Sequence, residues 1–469
     1  MKVKGVEVNC SIKKGWRGTV IMVLSALQVL SAAGTASAQT IDVNRESVQA
    51  LMMRPGVALF VDQDNGMTVD EMVAYALANN GELIATRKEV DAARALVKQA
   101  ALRANPMLEV NGSRQINGSD NSVMVSGSLP LELGGRRRAR ITVSERELEI
   151  RELMVAVSER NLAAEVRNKF GAALAEVYKL GFTEDLLRNG ERGYRLVAAR
   201  VVEGRSAPLE QNITLVEVNR LRSMRETEEG KVQIAMFELR NTIGMRPEDP
   251  LKLRGDFTNL IDALPPIDEA VTRALASRPD IQILRASERL AEAQIEQVRA
   301  EGRLDASVNT GYQRMSSGFP VNGIDDAGQL QPVMGKFHFL TFGVTLNLPV
   351  RNKNQGAIEA AVIQADAVRI RLEFAELTAR REVASSYVRY EHAARAMEIY
   401  RVGVQDQAST NLEVIYKTYE LGSKTLLDYI SEQRRFIEVQ MSYIDAVLDT
   451  YQARVEITRA SDSPELINK

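Results

Sequence analysis

Cysteine is almost absent: Cys10 is the only one in 469 residues, and Trp16 is the only tryptophan. Both precede an apolar run from Val20 to Leu30, which follows Lys2, Lys4, Lys13, Lys14 and Arg17 and leads to the small residues Ala36-Ser37-Ala38. This is the layout of a cleavable export signal over residues 1–38, and cleavage removes the cysteine and the tryptophan together. A mature chain without cysteine excludes disulfides, thiolate nucleophiles and thiolate metal sites. Cys10 lies before the apolar run, where lipid anchoring does not occur. Proline is scarce at 13 residues, and aromatics make up 5%, against 45% hydrophobic and 26% charged residues, a balance that favours long helices over a compact enzyme.

Other absences narrow the class further. After residue 38 no run is long and apolar enough for a membrane-spanning helix. The signal takes away five basic residues and one acidic one, leaving 55 Lys and Arg against 61 Asp and Glu. A mildly acidic exported chain is not built to bind nucleic acid. The only histidines, His338 and His392, lie far apart, and no spacing resembles a zinc or copper centre. No nucleophile-elbow, Walker or dinucleotide pattern occurs in a fitting context, so the reading is not an enzyme, with no cofactor and no resident metal.

What is present is a duplication. "TVDEMVAYALANN" at 68–80 aligns with "PIDEAVTRALASR" at 266–278, at an offset of 198 that persists to Val110-Asn111 and Val308-Asn309. The halves match again at "VVEGRSAPLEQ" and "YELGSKTLLDY", with Gly204 on Gly422 and Glu210 on Asp428. Between them the second half is longer, and the expected insert is "SSGFPVNGIDDAGQLQP" at 316–332, read as an exposed loop. Each half is expected to run helix, strand, loop, strand, long helix, turn, long helix. The expected organisation is a signal at 1–38, an extension at 39–67, repeats at 68–262 and 263–460, and a tail at 461–469.

Two joints carry the architecture. "SGSLPLELGGRRRARI" at 126–141 and "TLNLPVRNKNQGAIEAA" at 345–361 each pass from alternating strand through Pro130 or Pro349 into helix, by way of Gly134 and Gly135 or Arg351 and Asn352. Proline ends a ladder and tolerates a helix start. The Gly, Arg and Asn residues are expected to allow the bend and to meet lipid head groups. In the strands, Leu340, Phe342, Val344, Leu346 and Leu348 alternate with Thr341, Gly343, Thr345 and Asn347, and Val123, Val125 and Leu129 oppose Ser122, Ser126 and Ser128. Apolar outward and small polar inward is the pattern of a transmembrane barrel around water. Four strands cannot close such a barrel alone, so several chains must share it. The next helix, from the first joint to Gly204, repeats apolar residues at Leu148, Leu153, Val157, Leu162, Val166, Phe170 and Leu174 and reaches about 100 Å if unbroken.

The repeat starts, joints and tips together resemble the TolC-like outer-membrane efflux family across nearly the whole mature sequence. The Gly-Gly-Arg form of the first joint and the Arg-Asn-x-Asn-Gln-Gly form of the second are most similar to its heavy-metal branch, of the cobalt-zinc-cadmium or copper type. The resemblance implies a mainly α fold with a small β part: a homotrimer whose shared β-barrel crosses the outer membrane of a Gram-negative bacterium, with long antiparallel helices forming a periplasmic tunnel. It implies the passive exit duct of a tripartite pump, partnered by an inner-membrane RND transporter, a periplasmic adaptor (membrane fusion) protein and outer-membrane lipid. The tips at Gly204, Arg205, Ser206, Gly422 and Ser423 would dock the adaptor. Glu210, Tyr419, Lys424 and Asp428 would form the periplasmic gate, with Asp428 repeated as a carboxylate ring. Drug export, type I polypeptide secretion and a periplasmic structural coiled coil remain open as alternatives.

Overall fold

The computed structural model describes residues 56–257, 264–324 and 326–467. The expected signal with Cys10 and Trp16, residues 39–55 and Asp325 lie outside them. The order is α1 (Val69–Asn79), α2 (Gly81–Ala100), β1 (Met107–Arg114), β2 (Asn121–Pro130), α3 (Arg136–Val202) and α4 (Pro208–Ile243). The second half gives α5 (Ile267–Ser277), α6 (Pro279–Glu301), β3 (Asp305–Ile324), β4 (Leu330–Asn347), α7 (Gln355–Glu398), α8 (Gln405–Glu420) and α9 (Leu426–Ala460). The duplication is therefore real at the level of elements.

The first helix of each half is in two pieces, at breaks 198 residues apart. Thr68 and Glu71 form a capping box at the start of α1, and extended backbone at Asn80 ends that helix while the Asn80 side chain caps α2. In the second half Arg278 takes the same extended conformation, and Pro279 opens α6 at a position where its missing N–H costs nothing. Helix α3 runs its full 67 residues without a break, about 100 Å at 1.5 Å per residue. Its counterpart is interrupted by a π turn at Ile399–Val404, which separates α7 from α8.

The apolar stripe on α3 divides in two. Leu162, Val166, Phe170 and Leu174 are buried, whereas Leu148, Leu153 and Val157 nearer the joint are half-buried. The main core surrounds the buried part, where α1, α3, α4 and α9 meet at Met72, Phe170, Leu174, Met236, Leu239 and Tyr451. Both supposed ends contribute to it. Val57 and Val61 pack there through a parallel bridge from Val61 to Leu253, and Leu466 is buried while its carbonyl accepts from Arg167.

The four strands form one antiparallel sheet in the order β1-β2-β3-β4. Directly paired residues share a face. One face carries Leu108, Val110, Val125, Leu129, Val308, Tyr312, Leu340, Phe342 and Val344, and the other Ser113, Ser122, Ser126, Ser128, Asn309, Thr341 and Thr345. Hydrogen bonds join Ser113 to Ser122 and Asn309 to Thr345 on the polar face. Within one chain the apolar face is bare: Phe342 is 80% exposed and Leu340 71%. No helix among the described residues is long and apolar enough to cross a membrane.

The insert is not the loop expected from its Gly, Pro and Asn content. Strand β3 continues to Ile324 and β4 begins at Leu330, pairing Asn322 with Pro332 and Ile324 with Leu330. A bulge between Gly318 and Asn322 absorbs the odd residues, Pro320 among them.

Candidate functional site

At the first joint, Pro130 is the last residue of β2, opposite Ser307, and Gly134 and Gly135 have φ of 75° and 85°, the left-handed region that favours glycine. Gly135 is the N-cap of α3, and a Cβ on Gly134 would come 2.8 Å from Cβ of Arg303. At the second joint the left-handed N-cap is Asn354, with φ of 61°, rather than Arg351 or Asn352. Asn352 serves it indirectly, its side-chain oxygen accepting from the Asn354 N–H at 2.9 Å. Gly302, at the end of α6, lets this joint approach, since a Cβ there would run into the Lys353 carbonyl.

At the first joint three of the arginines, Arg136, Arg137 and Arg140, are engaged within the chain, whereas Arg138 there and Arg351 at the second joint are exposed. Arg136 donates to Asp305 at 2.7 Å and to the carbonyls of Glu301 and Arg303. Arg137 donates to the Ala101 carbonyl, and Arg140 to those of Ala100 and Leu102 and to Glu132. These carbonyls belong to the C-terminal ends of α2 and α6, where unpaired oxygens and the helix dipole attract cations. The arginine cluster therefore fastens two helix ends to the start of a third.

The tips are a matched pair. Gly204, with φ of 72°, donates to the Val201 carbonyl while Arg205 N–H donates to Arg200; Gly422, with φ of 78°, donates to Tyr419 while Ser423 N–H donates to Thr418. This is the Schellman arrangement at both helix ends. Nothing lies within 4 Å of a Cβ built on either glycine, so backbone conformation, not close approach within the chain, requires glycine here. Ser206 N–H also bonds to the Arg200 carbonyl, and the Arg205 side chain pairs loosely with Glu203 at 3.4 Å.

The equivalent carboxylates Glu210 and Asp428 have different surroundings. Asp428 closes a capping box, accepting from the Thr425 N–H at 3.0 Å and hydroxyl at 2.9 Å, and these bonds hold it below the ordinary aspartate range. Lys424 adds a weaker electrostatic contribution in the same direction. In the first half Ala207 stands at the cap and offers no hydroxyl, so Glu210 is not engaged in this way. It acts instead on Tyr419, whose phenol is pushed up by burial and then by Glu210, with Arg200 opposing. Glu210 thus acts on Tyr419 and Lys424 on Asp428 through electrostatics, without a hydrogen bond or ion pair, and no ion pair joins Lys424 to Glu210 among the described residues.

Several residues here escaped sequence reasoning. Tyr429 lies 5.4 Å from Tyr416 and 6.3 Å from Tyr419 between ring centroids, the latter stacked. The three rings border a groove of about 490 Å3 between the two helical hairpins, with Leu196, Leu412 and Phe436. The spacing of Tyr416 and Tyr419, one helical turn apart, was the available signal. Deeper in the groove wall, Glu217 is 5% exposed and accepts from Arg220 at 2.6 Å and from Arg434 at 3.0 Å, tying α4 to α9. Burial would raise its carboxyl, but the two arginines outweigh burial and lower it.

Towards its hairpin end the polar face of the sheet changes character. Phe319 and Phe337 meet edge to face at 6.0 Å, and Phe337 and Phe339 stack at 6.4 Å. Gly335 leaves room for them, since a Cβ would fall 2.8 Å from the Phe337 ring and 2.9 Å from that of Phe319. The aromatic rings come from β3 and β4, while β1 and β2 keep Ser113 and Ser122 in the same row as Phe337. Among the described residues no group of three or more His, Cys, Asp or Glu side chains could hold a metal ion.

The profile of the family described as "Outer membrane efflux protein" matches residues 73–245 and 270–461. The chain is 23% identical over 397 residues to the cobalt-zinc-cadmium resistance protein CzcC of Cupriavidus metallidurans, covering 84% of this chain and 89% of that one. Among solved structures, CusC superposes with a TM-score of 0.68 at 18% identity, over 86% of this chain and 93% of the other. The outer-membrane channel OprN gives 0.66 at 17%, over 88% and 96%. The open state of the Neisseria gonorrhoeae MtrE channel gives 0.66 at 17%, over 85% and 90%.

Proposed function

Since the chain belongs to the outer membrane efflux protein family, and is thereby an outer-membrane efflux channel and not an enzyme, we propose that it is the exit duct of a tripartite pump for heavy-metal cations. The similarity to a cobalt-zinc-cadmium resistance protein along 84% of the chain is the observation that carries the cargo. The fold does not discriminate, because one architecture serves many cargoes and a duct makes few specific contacts with what passes.

The working form is a homotrimer. Four strands with one bare apolar face cannot close a barrel, and three copies placed edge to edge would close it around the polar face. Helix α7 offers the matching contact lower down, an exposed stripe of Ile363, Ile370, Phe374 and Leu377 at coiled-coil spacing, with Ile370 62% and Phe374 70% exposed. A periplasmic adaptor would dock on the two Schellman tips, and an inner-membrane RND transporter would supply the energy that a passive duct lacks.

The test is genetic and direct. Deleting the gene should raise cellular cobalt, zinc, cadmium or copper and lower the tolerated concentration of at least one of them, with restoration by the intact gene. Unchanged metal tolerance together with sensitisation to drugs or loss of a secreted polypeptide would transfer the duct to those cargoes.

A further inference from the structure

We propose that the hairpin end of the sheet's apolar face binds the phosphate groups of an outer-leaflet lipid through Arg114, Arg314 and Lys336, with His338 beside them. The inference rests on the duct reading, in which this face meets the membrane. It begins with the register. Val123 pairs with Arg314 and Arg314 with His338, while Arg114 pairs with Asn121, Asn121 with Ser316 and Ser316 with Lys336. The four basic residues therefore occupy two successive rows on the face that carries Val110, Val125, Tyr312 and Leu340 immediately below. No sequence window contains them, since they come from β1, β3 and β4.

Their height fits a head-group level. From Asn347, the last residue of β4, to His338 the strand rises about 30 Å, or about 23 Å once tilted by about 40°, close to the height of the apolar band of an outer-membrane barrel. The joints and their long helices lie at the lower end, so the rows lie towards the opposite end, level with the β1–β2 turn and below the longer β3–β4 hairpin, on the side that the duct reading places outside the cell.

Their chemistry fits phosphate. All four side chains are exposed, and Arg114, Arg314 and Lys336 have no ion pair with any described residue. The contrast with the joint is sharp, because Arg136 and Arg140 there are held by carboxylates and helix carbonyls. Asp120, in the β1–β2 turn, accepts from the Gly318 N–H at 2.7 Å and the Ser317 hydroxyl at 3.0 Å and forms no ion pair with Arg114, Arg314 or Lys336. The His338 Nδ1 is 2.6 Å from the Tyr312 hydroxyl, which holds the ring at the boundary between apolar and basic rows. Arg314 and Lys336 are diagonal neighbours on adjacent strands, about 7 to 8 Å apart, within reach of one phosphate, and Arg114 lies about 14 Å from Lys336 along its row. Arginine forks suit phosphate oxygens, and each surface cation strengthens attraction to an anionic lipid.

The experiment uses the full-length protein in vesicles of phosphatidylethanolamine with and without bisphosphorylated lipid A, followed by gentle detergent extraction and mass measurement of the retained lipid. The wild type should retain lipid A over phosphatidylethanolamine. The triple variant Arg114→Gln, Arg314→Gln, Lys336→Gln should insert and assemble normally yet retain at least tenfold less. Raising salt should weaken retention in the wild type, and inorganic phosphate at the lipid's concentration should not displace it. Equal retention by wild type and variant, or full displacement by inorganic phosphate, would overturn the proposal while leaving the duct intact. Failure of the wild type to enter any vesicle would instead overturn the duct reading, and this proposal with it.

Discussion

Arg87 and Arg285, 198 positions apart, make the same two contacts in the two halves of the chain: Arg87 donates to the Leu77 carbonyl at 2.8 Å and to Glu159 at 2.7 Å, and Arg285 to the Leu275 carbonyl at 3.1 Å and to Glu376 at 3.0 Å. Each closes the end of a short first helix and ties its successor to the following long helix. The repeat thus preserves a fastening as well as a sequence. Because each ion pair is about one-third exposed, screening limits the Arg–Glu coupling to about 0 to 1 kcal/mol. Double-mutant cycles by denaturant unfolding should return a similar small coupling for both pairs, and a coupling confined to one half would show that the duplication is not mechanical.

The tip glycines are required by backbone conformation. Gly204→Asn and Gly422→Asn should be tolerated, whereas Gly204→Val and Gly422→Val should each cost about 1 to 2 kcal/mol in the hairpin, since the left-handed region penalises most side chains. If the adaptor docks on these turns, the valine variants will assemble and reach the outer membrane but export poorly. Normal export by both would remove the tips from the docking surface.

Glu210 and Asp428 separate in their expected effects on ions. Asp428 is committed to its cap, while Glu210 has no capping hydroxyl beside it. Planar-bilayer recordings should therefore show a larger loss of cation selectivity for Glu210→Gln than for Asp428→Asn, because a ring of like charge acts on every permeating ion. The reverse order would place Asp428 at the constriction after all.

The Thr425–Asp428 cap also sets a pH dependence. Its carboxyl is depressed in the folded state, so its contribution is present above the unfolded value, about 3.9, and is lost as pH falls through the lower folded value. Protection against hydrogen exchange, relative to the intrinsic rate at each pH, should fall at the start of α9 below about pH 4, while the first tip, capped by Ala207 and Pro208, should not share this change. Equal acid sensitivity at both tips would exclude the cap as its source.

Breaking the buried link at Glu217 should loosen the two hairpins from one another. Glu217→Ala leaves Arg220 and Arg434 without their carboxylate and should cost about 1 to 3 kcal/mol, with the part-exposed arginines recovering some hydration. The check is the unfolding midpoint of the detergent-solubilised protein, together with its single-channel open fraction. An unchanged midpoint would mean that the groove wall does not depend on this charge.

The sequence by itself determined the architecture, because its signals are local. Strand alternation of period two, the uninterrupted run of α3, the prolines at 130 and 349 and the glycines at 204 and 422 each act within a few residues, and duplication shows them twice. Tertiary structure decided what local signals could not. Glycine and proline at 316–332 read as a loop, yet β3 and β4 pair through most of that segment because a bulge takes up the irregular residues. Arg136, Arg137 and Arg140 at the first joint read as lipid-facing, yet carbonyls at the ends of α2 and α6 claim them from 36 to 167 positions away. Glu210 and Asp428 occupy equivalent positions, and a threonine at one cap against an alanine at the other gives them different partners. Arg114 on β1 and Lys336 on β4 are 222 positions apart in the chain, so only the register of pairing places them on one face.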